Sequence, residues 1–140
     1  MQDPFELQRF VAAQQPVYPT VLAELRGGAK RSHWMWFIFP QVAGLGFSAT
    51  AQHFAIRSAA EARAYGEHAL LGGRLRECFR LVQASGKPVA DIFPYPDNLK
   101  YHSSATLFAA AVPAEALYEA ALERDFQGRA DPQTLRLLGR

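Results

Sequence analysis

Two cations, Lys30 and Arg31, stand directly before Ser32, His33 and the run Trp34-Met35-Trp36-Phe37-Ile38-Phe39, which Pro40 closes and Gln41 follows. Cationic side chains hold anions, and an aromatic wall gives a bound ring a face to stack on. If a helix opens after Ser32, its free N–H groups and partial positive charge add to those of the two cations. The chemistry on offer is an anion or phosphate seat beside a stacking surface. His33 is the one side chain of the run able to move a proton near neutral pH. The same residues also make an ordinary core, in which Trp34, Trp36 and Phe39 fill the interior and the cations form a solvated cap. On that second reading Trp36 and Phe39 are mostly buried. Both readings stay open here.

A second constellation runs from Asp97 to Phe108 as DNLKYHSSATLF. On a helix capped near Asp97, Lys100, Ser103 and Ser104 share one stripe in the opening turns, and Leu107 and Phe108 continue it in apolar form. Polar groups at one end of a buried element are what a pocket needs. The hydroxyls of Ser103, Ser104 and Thr106 can equally bond back to their own helix. Lys30 and Lys100, seventy residues apart, each lie at a helix start beside hydroxyl side chains. They are expected to meet at a common cavity. Like charges that meet need a compensator: a carboxylate, for which Asp97 is the nearest in sequence, or a bound anion.

Other motifs are set aside on context. Gly44-Leu45-Gly46-Phe47-Ser48-Ala49 matches a dinucleotide-binding string, but Pro40 and Gln41 separate it from any strand and Glu61 follows Gly46 by only 15 residues. It reads as a flexible turn leading to a helix cap at Ser48. No G-x-S-x-G is present, and Gly28-Ala29-Lys30 lacks the rest of a phosphate-binding loop. His33, His53, His68 and His102 have no zinc-ligand spacing, so no metal is expected. Cys78 sits in an apolar helical stripe and reads as buried filler. Glu115, Glu119 and Glu123 recur at helical spacing as a solvated face.

The elements that must position these groups read as helices throughout. Asp3-Pro4 with Glu6 opens one toward Leu7, Phe10 and Val11. Tyr18, Val21, Leu22 and Leu25 share a stripe that Gly27-Gly28 ends. Ser58 and Glu61 form a capping box, and Leu71, Leu75, Cys78, Phe79 and Val82 mark a further helix. Pro113 starts a segment that stops near Gly128, and Asp131-Pro132 opens a short last one burying Leu135 and Leu138. His33–Phe39 reads as a short buried helix between Ser32 and Pro40, with a buried strand as its alternative. Residues 87–97, with Pro88, Pro94 and Pro96, read as an ordered crossing loop. The expectation is an all-α fold: a single compact multi-helix domain over residues 1–140, of about seven to eight short helices.

Composition narrows the function classes. The chain has 140 residues, is 49% hydrophobic and 20% charged, and balances fifteen Lys+Arg against thirteen Asp+Glu. That is globular rather than disordered composition, and a charge of +2 is too small for bulk phosphate-backbone binding, so nucleic acid is not an expected partner. One cysteine permits no intrachain disulfide. The polar start MQDPFELQRF carries no secretion leader, and the longest apolar run, Trp34–Phe39, falls far short of the roughly twenty residues of a membrane span. A cytoplasmic location without membrane attachment is expected. Oligomeric state has no signature in the sequence.

The run KRSHWMWFIFPQ with Gly44-Leu45-Gly46 after it, then Leu71-Gly72-x-Arg74-Leu75, then Lys100-x-x-Ser103-Ser104-x-Thr106-Leu107-Phe108, resembles the bacterial domain-of-unknown-function family numbered eighteen-ten. The similarity spans about Asp3 to Leu138, with Ala105 where a Met is common in the family. The resemblance implies a mainly helical fold and no established activity. Similar proteins are sometimes labelled calpastatin; that inhibitor is a disordered chain, whereas this composition can bury a core, so the label is not adopted. The working expectation is a pocket for a small anionic, ring-bearing ligand such as a nucleotide-like metabolite, with no cofactor and with catalysis left open. Lys30, Arg31 and Lys100 would hold the anion, Ser103 and Ser104 would add hydrogen bonds, Trp34 or Trp36 would stack, His33 would move a proton, and Gln41 belongs to the same ligand site. The alternative is a protein–protein adaptor presenting an exposed Trp with Arg31 as anchor.

Overall fold

Glycines, prolines and capping side chains divide residues 2–140, the part described by the computed structural model, into ten helices. These are α1 (Gln8–Gln14), α2 (Tyr18–Arg26), α3 (Met35–Ile38), α4 (Ala49–His53), α5 (Ala59–Glu67), α6 (Leu71–Ala84), α7 (Val89–Ile92), α8 (Asp97–Ala111), α9 (Ala116–Phe126) and α10 (Pro132–Leu137). The one β feature among the described residues is an isolated parallel bridge between Val42 and Ile56, so no sheet forms. No helix among them is long and apolar enough to cross a membrane.

The local capping chemistry reads through from sequence. Ser48, Ser58 and Asp131 accept from the backbone N–H groups of Ala51, Glu61 and Thr134. Gln127 and Gly128 end α9 in the left-handed region at φ 58° and 76°. Ten helices replace the expected seven to eight because short stretches wind into single turns: α4 follows the Ser48 cap, and α7 forms inside the segment expected to be a loop. The first helix starts at Gln8 rather than Pro4. Glu6 adopts φ 54°, a turn, and the Asp3 carboxylate reaches over it to accept from Leu7 and Gln8 at 2.8 and 2.9 Å. In α10 the buried residue is Thr134, while Leu135 and Leu138 are only half-buried, because the Thr134 hydroxyl is drawn inward to Asp131.

The core is built around α8, which packs against α5, α7, α9 and α10. From Ser103 to Phe108 every residue is buried, so the middle of the helix has no solvent face. α6 is the opposite case: Leu71, Leu75, Cys78, Phe79 and Val82 form one buried stripe. Between these helices lies an aromatic cluster in which Phe39 meets Phe79, Phe93 and Tyr101 edge-on at 5.2, 5.6 and 5.2 Å. Tilted and edge-to-face contacts of this kind add to the burial of the rings themselves. Cys78 is buried beside them, and burial pushes its thiol up to about 12, which makes it filler rather than nucleophile.

Where α6 begins, its backbone touches the end of α5. A methyl group at Gly72 would lie 2.2 Å from the carbonyl oxygen of Gly66, and that backbone atom cannot swing aside. Gly72→Ala is therefore expected to cost about 3 kcal/mol of stability, read as a lowered urea midpoint. Gly73, with nothing within 4 Å, is the control. A Gly72→Ala variant no less stable than Gly73→Ala would remove the close-packing argument.

Candidate functional site

The segment from Trp36 to Ala55 curls round on itself through the Val42–Ile56 bridge, in which Ala43 donates to the carbonyl of Ile56 and Ile56 to that of Gln41. This curl faces the first turns of α8 and the start of α10. Between them lies a cavity of about 330 Å³, lined by Trp36, Gln41, Val42, the Gly44–Gly46 turn, Phe54, Leu99, Lys100, His102, Ser103 and Asp131 among others. Gly44 is needed in the wall: its φ is 104°, and a Cβ there would meet Leu137 at 3.0 Å.

Of the residues singled out from sequence, Trp36, Gln41, Lys100 and Ser103 line this cavity. Trp36 is half-buried rather than core, and the Lys100 ammonium sits 4.4 Å from its ring centroid. The expectation that Trp36 and Phe39 are both core is met by Phe39 alone. Trp34 takes the core position instead. It is 1% exposed, and its indole N–H donates to Glu24 at 3.0 Å. α3 is a single turn, so two residues of sequence separation put the indoles on different faces.

Lys30 and Lys100 do meet, and the compensator is Asp97. Its Oδ2 lies 2.7 Å from Lys30 and its Oδ1 3.5 Å from Lys100. Lys30 is mostly buried against Trp34 and does not line the cavity, whereas Lys100 does. The trio keeps one net positive charge, and Lys100 is its loosely held member.

The remaining candidates lie apart from the cavity. Arg31 is exposed beside a separate shallow depression with Glu24, Thr20 and Gly27. His33 is exposed, outside the lining. Ser104 is fully buried, with its hydroxyl unpartnered among the described residues. Ser32, expected to cap α3, instead donates to Glu24 Oε2 at 2.5 Å. Glu24 collects the backbone N–H groups of Arg31 and Ser32 as well as the Trp34 indole, closing the Lys30–Trp34 turn inward. Four donors on one carboxylate thus use up the groups that would have formed an anion seat.

Two functional groups escaped the sequence reading. His102 stacks on Phe126 at 3.9 Å, and its Nε2 lies 2.7 Å from the Arg129 carbonyl. A carbonyl only accepts, so Nε2 carries a proton and donates to it. Asp131 reaches the cavity from the start of α10, where its Oδ2 accepts from Ser103 at 3.2 Å and from Thr134. The adjacency of His102 to Ser103 was a usable signal, but Asp131 had none beyond its cap.

The family described as "Protein of unknown function (DUF1810)" matches residues 4–138. The crystal structure of the conserved hypothetical protein Rv1873 from Mycobacterium tuberculosis is similar throughout, with 51% sequence identity, 99% of each chain covered and a TM-score of 0.95. No curated protein matches.

Proposed function

From the premise that this chain belongs to the DUF1810 family, whose description assigns no reaction, we propose that it is a small-ligand-binding domain whose site is the cavity between the Trp36–Ala55 segment and the opening of α8. The observation that carries the reading is Lys100: a cation resting on the Trp36 ring, facing a mostly apolar hollow, and sharing its carboxylate with a better-placed lysine. A ligand anion at Lys100 relieves the residual charge of the Lys30–Asp97–Lys100 trio. A ring lying against Trp36, Phe54 and Leu99 removes apolar surface from water. The volume of about 330 Å³ suits a metabolite of roughly mononucleotide size. Ser103 and Gln41 supply hydrogen bonds. Arg31, His33, Trp34 and Ser104 drop out as direct contacts, and Lys30 acts by holding Asp97.

The adaptor reading is supported by different residues from those first considered: Phe47 and Tyr95, 81% and 79% exposed. Neither tryptophan lies on an open flat face, which favours the ligand reading over it.

A thermal-shift panel of mononucleotides, sugar phosphates and small carboxylates tests the proposal. A ligand at a hundred times its Kd is expected to raise Tm by about 9 °C. Lys100→Met is expected to abolish that rise while leaving the ligand-free protein folded. No rise with any compound, or the same rise in the variant, would overturn the reading.

A further inference from the structure

Asp131 is a half-used carboxylate. As the cap of α10 it works through Oδ2 alone, which accepts from Thr134 N and Thr134 Oγ1 at 3.2 and 2.5 Å and lies 3.2 Å from Ser103 Oγ, whose one proton is shared with the Leu99 carbonyl at 3.1 Å. Its Oδ1 accepts from no described residue and, with the side chain in the cavity wall, is not sealed in the interior. A carboxylate offers about four lone-pair sites over its two oxygens, so half of its accepting capacity is open. No cation lies within 4.0 Å of it among the described residues; the nearby lysine, Lys100, is paired with Asp97.

The cavity thus holds two opposite charges that do not pair with each other. Lys100 and Ser103 are three residues apart on α8, about 4.5 Å along the helix axis, and Ser103 hands on to Asp131 at 3.2 Å. Such an arrangement is complementary to a ligand that accepts at one end and donates at the other. We propose that the ligand of this cavity is an anionic heteroaromatic compound carrying an N–H donor on its ring, with the anion at Lys100 and the ring N–H donating to Asp131 Oδ1. The inference rests on the ligand-binding reading above and adds the ring chemistry that the site selects. A carboxylate with a free oxygen rejects a ring that offers it only another acceptor, because the facing lone pairs repel and both groups lose their water.

Two probe pairs that differ at one ring substituent test this: cytidine against pyrimidin-2-one riboside 5′-monophosphate, and adenosine against purine riboside 5′-monophosphate, where hydrogen stands in place of the amino group and no N–H remains on the ring. The amino member of at least one pair is expected to bind the unaltered protein tenfold or more tightly than its partner without the amino group, by calorimetry. Asp131→Asn keeps the cap, since Asn caps helices as well as Asp, but sets an amide N–H₂ where the free oxygen stood. It is expected to cut the preference for the amino member to less than twofold. Equal affinities within both pairs in the unaltered protein would overturn the assignment whether or not the variant folds, as would an undiminished preference in a folded Asp131→Asn. If both members bind equally and Lys100→Met abolishes both, the pocket reading survives and the donor assignment alone falls. If neither pair binds at millimolar concentration, this nucleotide-like form of the ligand falls with it.

Discussion

Arg9→Met is expected to cost about 3–5 kcal/mol of folding stability, because it leaves a buried carboxylate without its cation. Arg9 and Glu61 pair at 2.6 Å with side chains only 9% and 4% exposed. The guanidinium uses its other donors on the carbonyls of His53, Ala55, Phe5 and Glu6, at 2.6–3.0 Å, and its Cζ lies 4.4 Å from the centre of the Phe10 ring. Five acceptors would lose their donor together. The second oxygen of Glu61 already accepts from the Arg57 backbone, so the carboxylate cannot turn away to water. Chemical denaturation measures the cost, and a loss below about 1 kcal/mol, typical of exposed pairs, would contradict it. Adding Glu61→Gln to Arg9→Met should recover part of the loss, since it removes the stranded charge. The effect reaches the candidate site, because His53–Ala55 carries Phe54 and Ala55 into the cavity wall.

The second large effect concerns Glu24 and depends on pH. Burial, the largest single influence, disfavours its charge, but hydrogen bonds from the Ser32 hydroxyl, the Arg31 and Ser32 amides and the Trp34 indole together outweigh it. They hold the carboxyl at about 2, against its usual 4.5. A depressed folded-state value means stability that is fully present above about pH 4.5 and lost as pH falls toward 2. The carboxyl keeps some contact with water, so we expect about 2 kcal/mol rather than the full thermodynamic equivalent of the depression. Glu24→Gln should be destabilised by about that amount at pH 7. Its difference from the unaltered protein should shrink between pH 4.5 and pH 2. A difference that stays constant over this window would show that the carboxylate's charge does not hold the turn. Loss of the Glu24 bonds should also free the Trp34 indole, which fluorescence can follow.

Much of the helical layout was legible in the chain because its signals are local. Ser48, Ser58 and Asp131-Pro132 open helices by a bond between a side chain and the backbone three residues on, and Gln127-Gly128 closes one by a backbone conformation. The α6 stripe is long enough for its period to identify both helix and buried face. The chain also offers no pair of alternating runs joined by a two-residue Asn-Gly or Asp-Gly turn, an equally local argument against a sheet. The count of helices was less legible, since a one-turn helix such as α4 or α7 has no period to read.

The site divided along the same line. Lys100, Ser103, Trp36 and Gln41 could be picked out by residue type, and Asp97 was the nearest carboxylate in sequence for two lysines expected to meet. Their arrangement depended on partners distant in the chain or hidden within a turn. Glu24, seven to ten residues before the groups it binds, pulled Trp34 into the core and left Trp36 at the cavity. The choice of which tryptophan is wall was therefore made by a single acceptor on α2. Lys30 and Asp97 met because α7 carries the chain back, with the Lys30 amide donating to the Ile92 carbonyl at 2.9 Å. Asp131 entered the cavity because Thr106 on α8 accepts its backbone N–H and Ser103 donates to its carboxylate. Residue types and short spacings dictated the helices and the available chemistry. Which of those groups share a cavity was decided by hydrogen bonds spanning up to some seventy residues, whose free energy exists only once the core has brought both partners out of water.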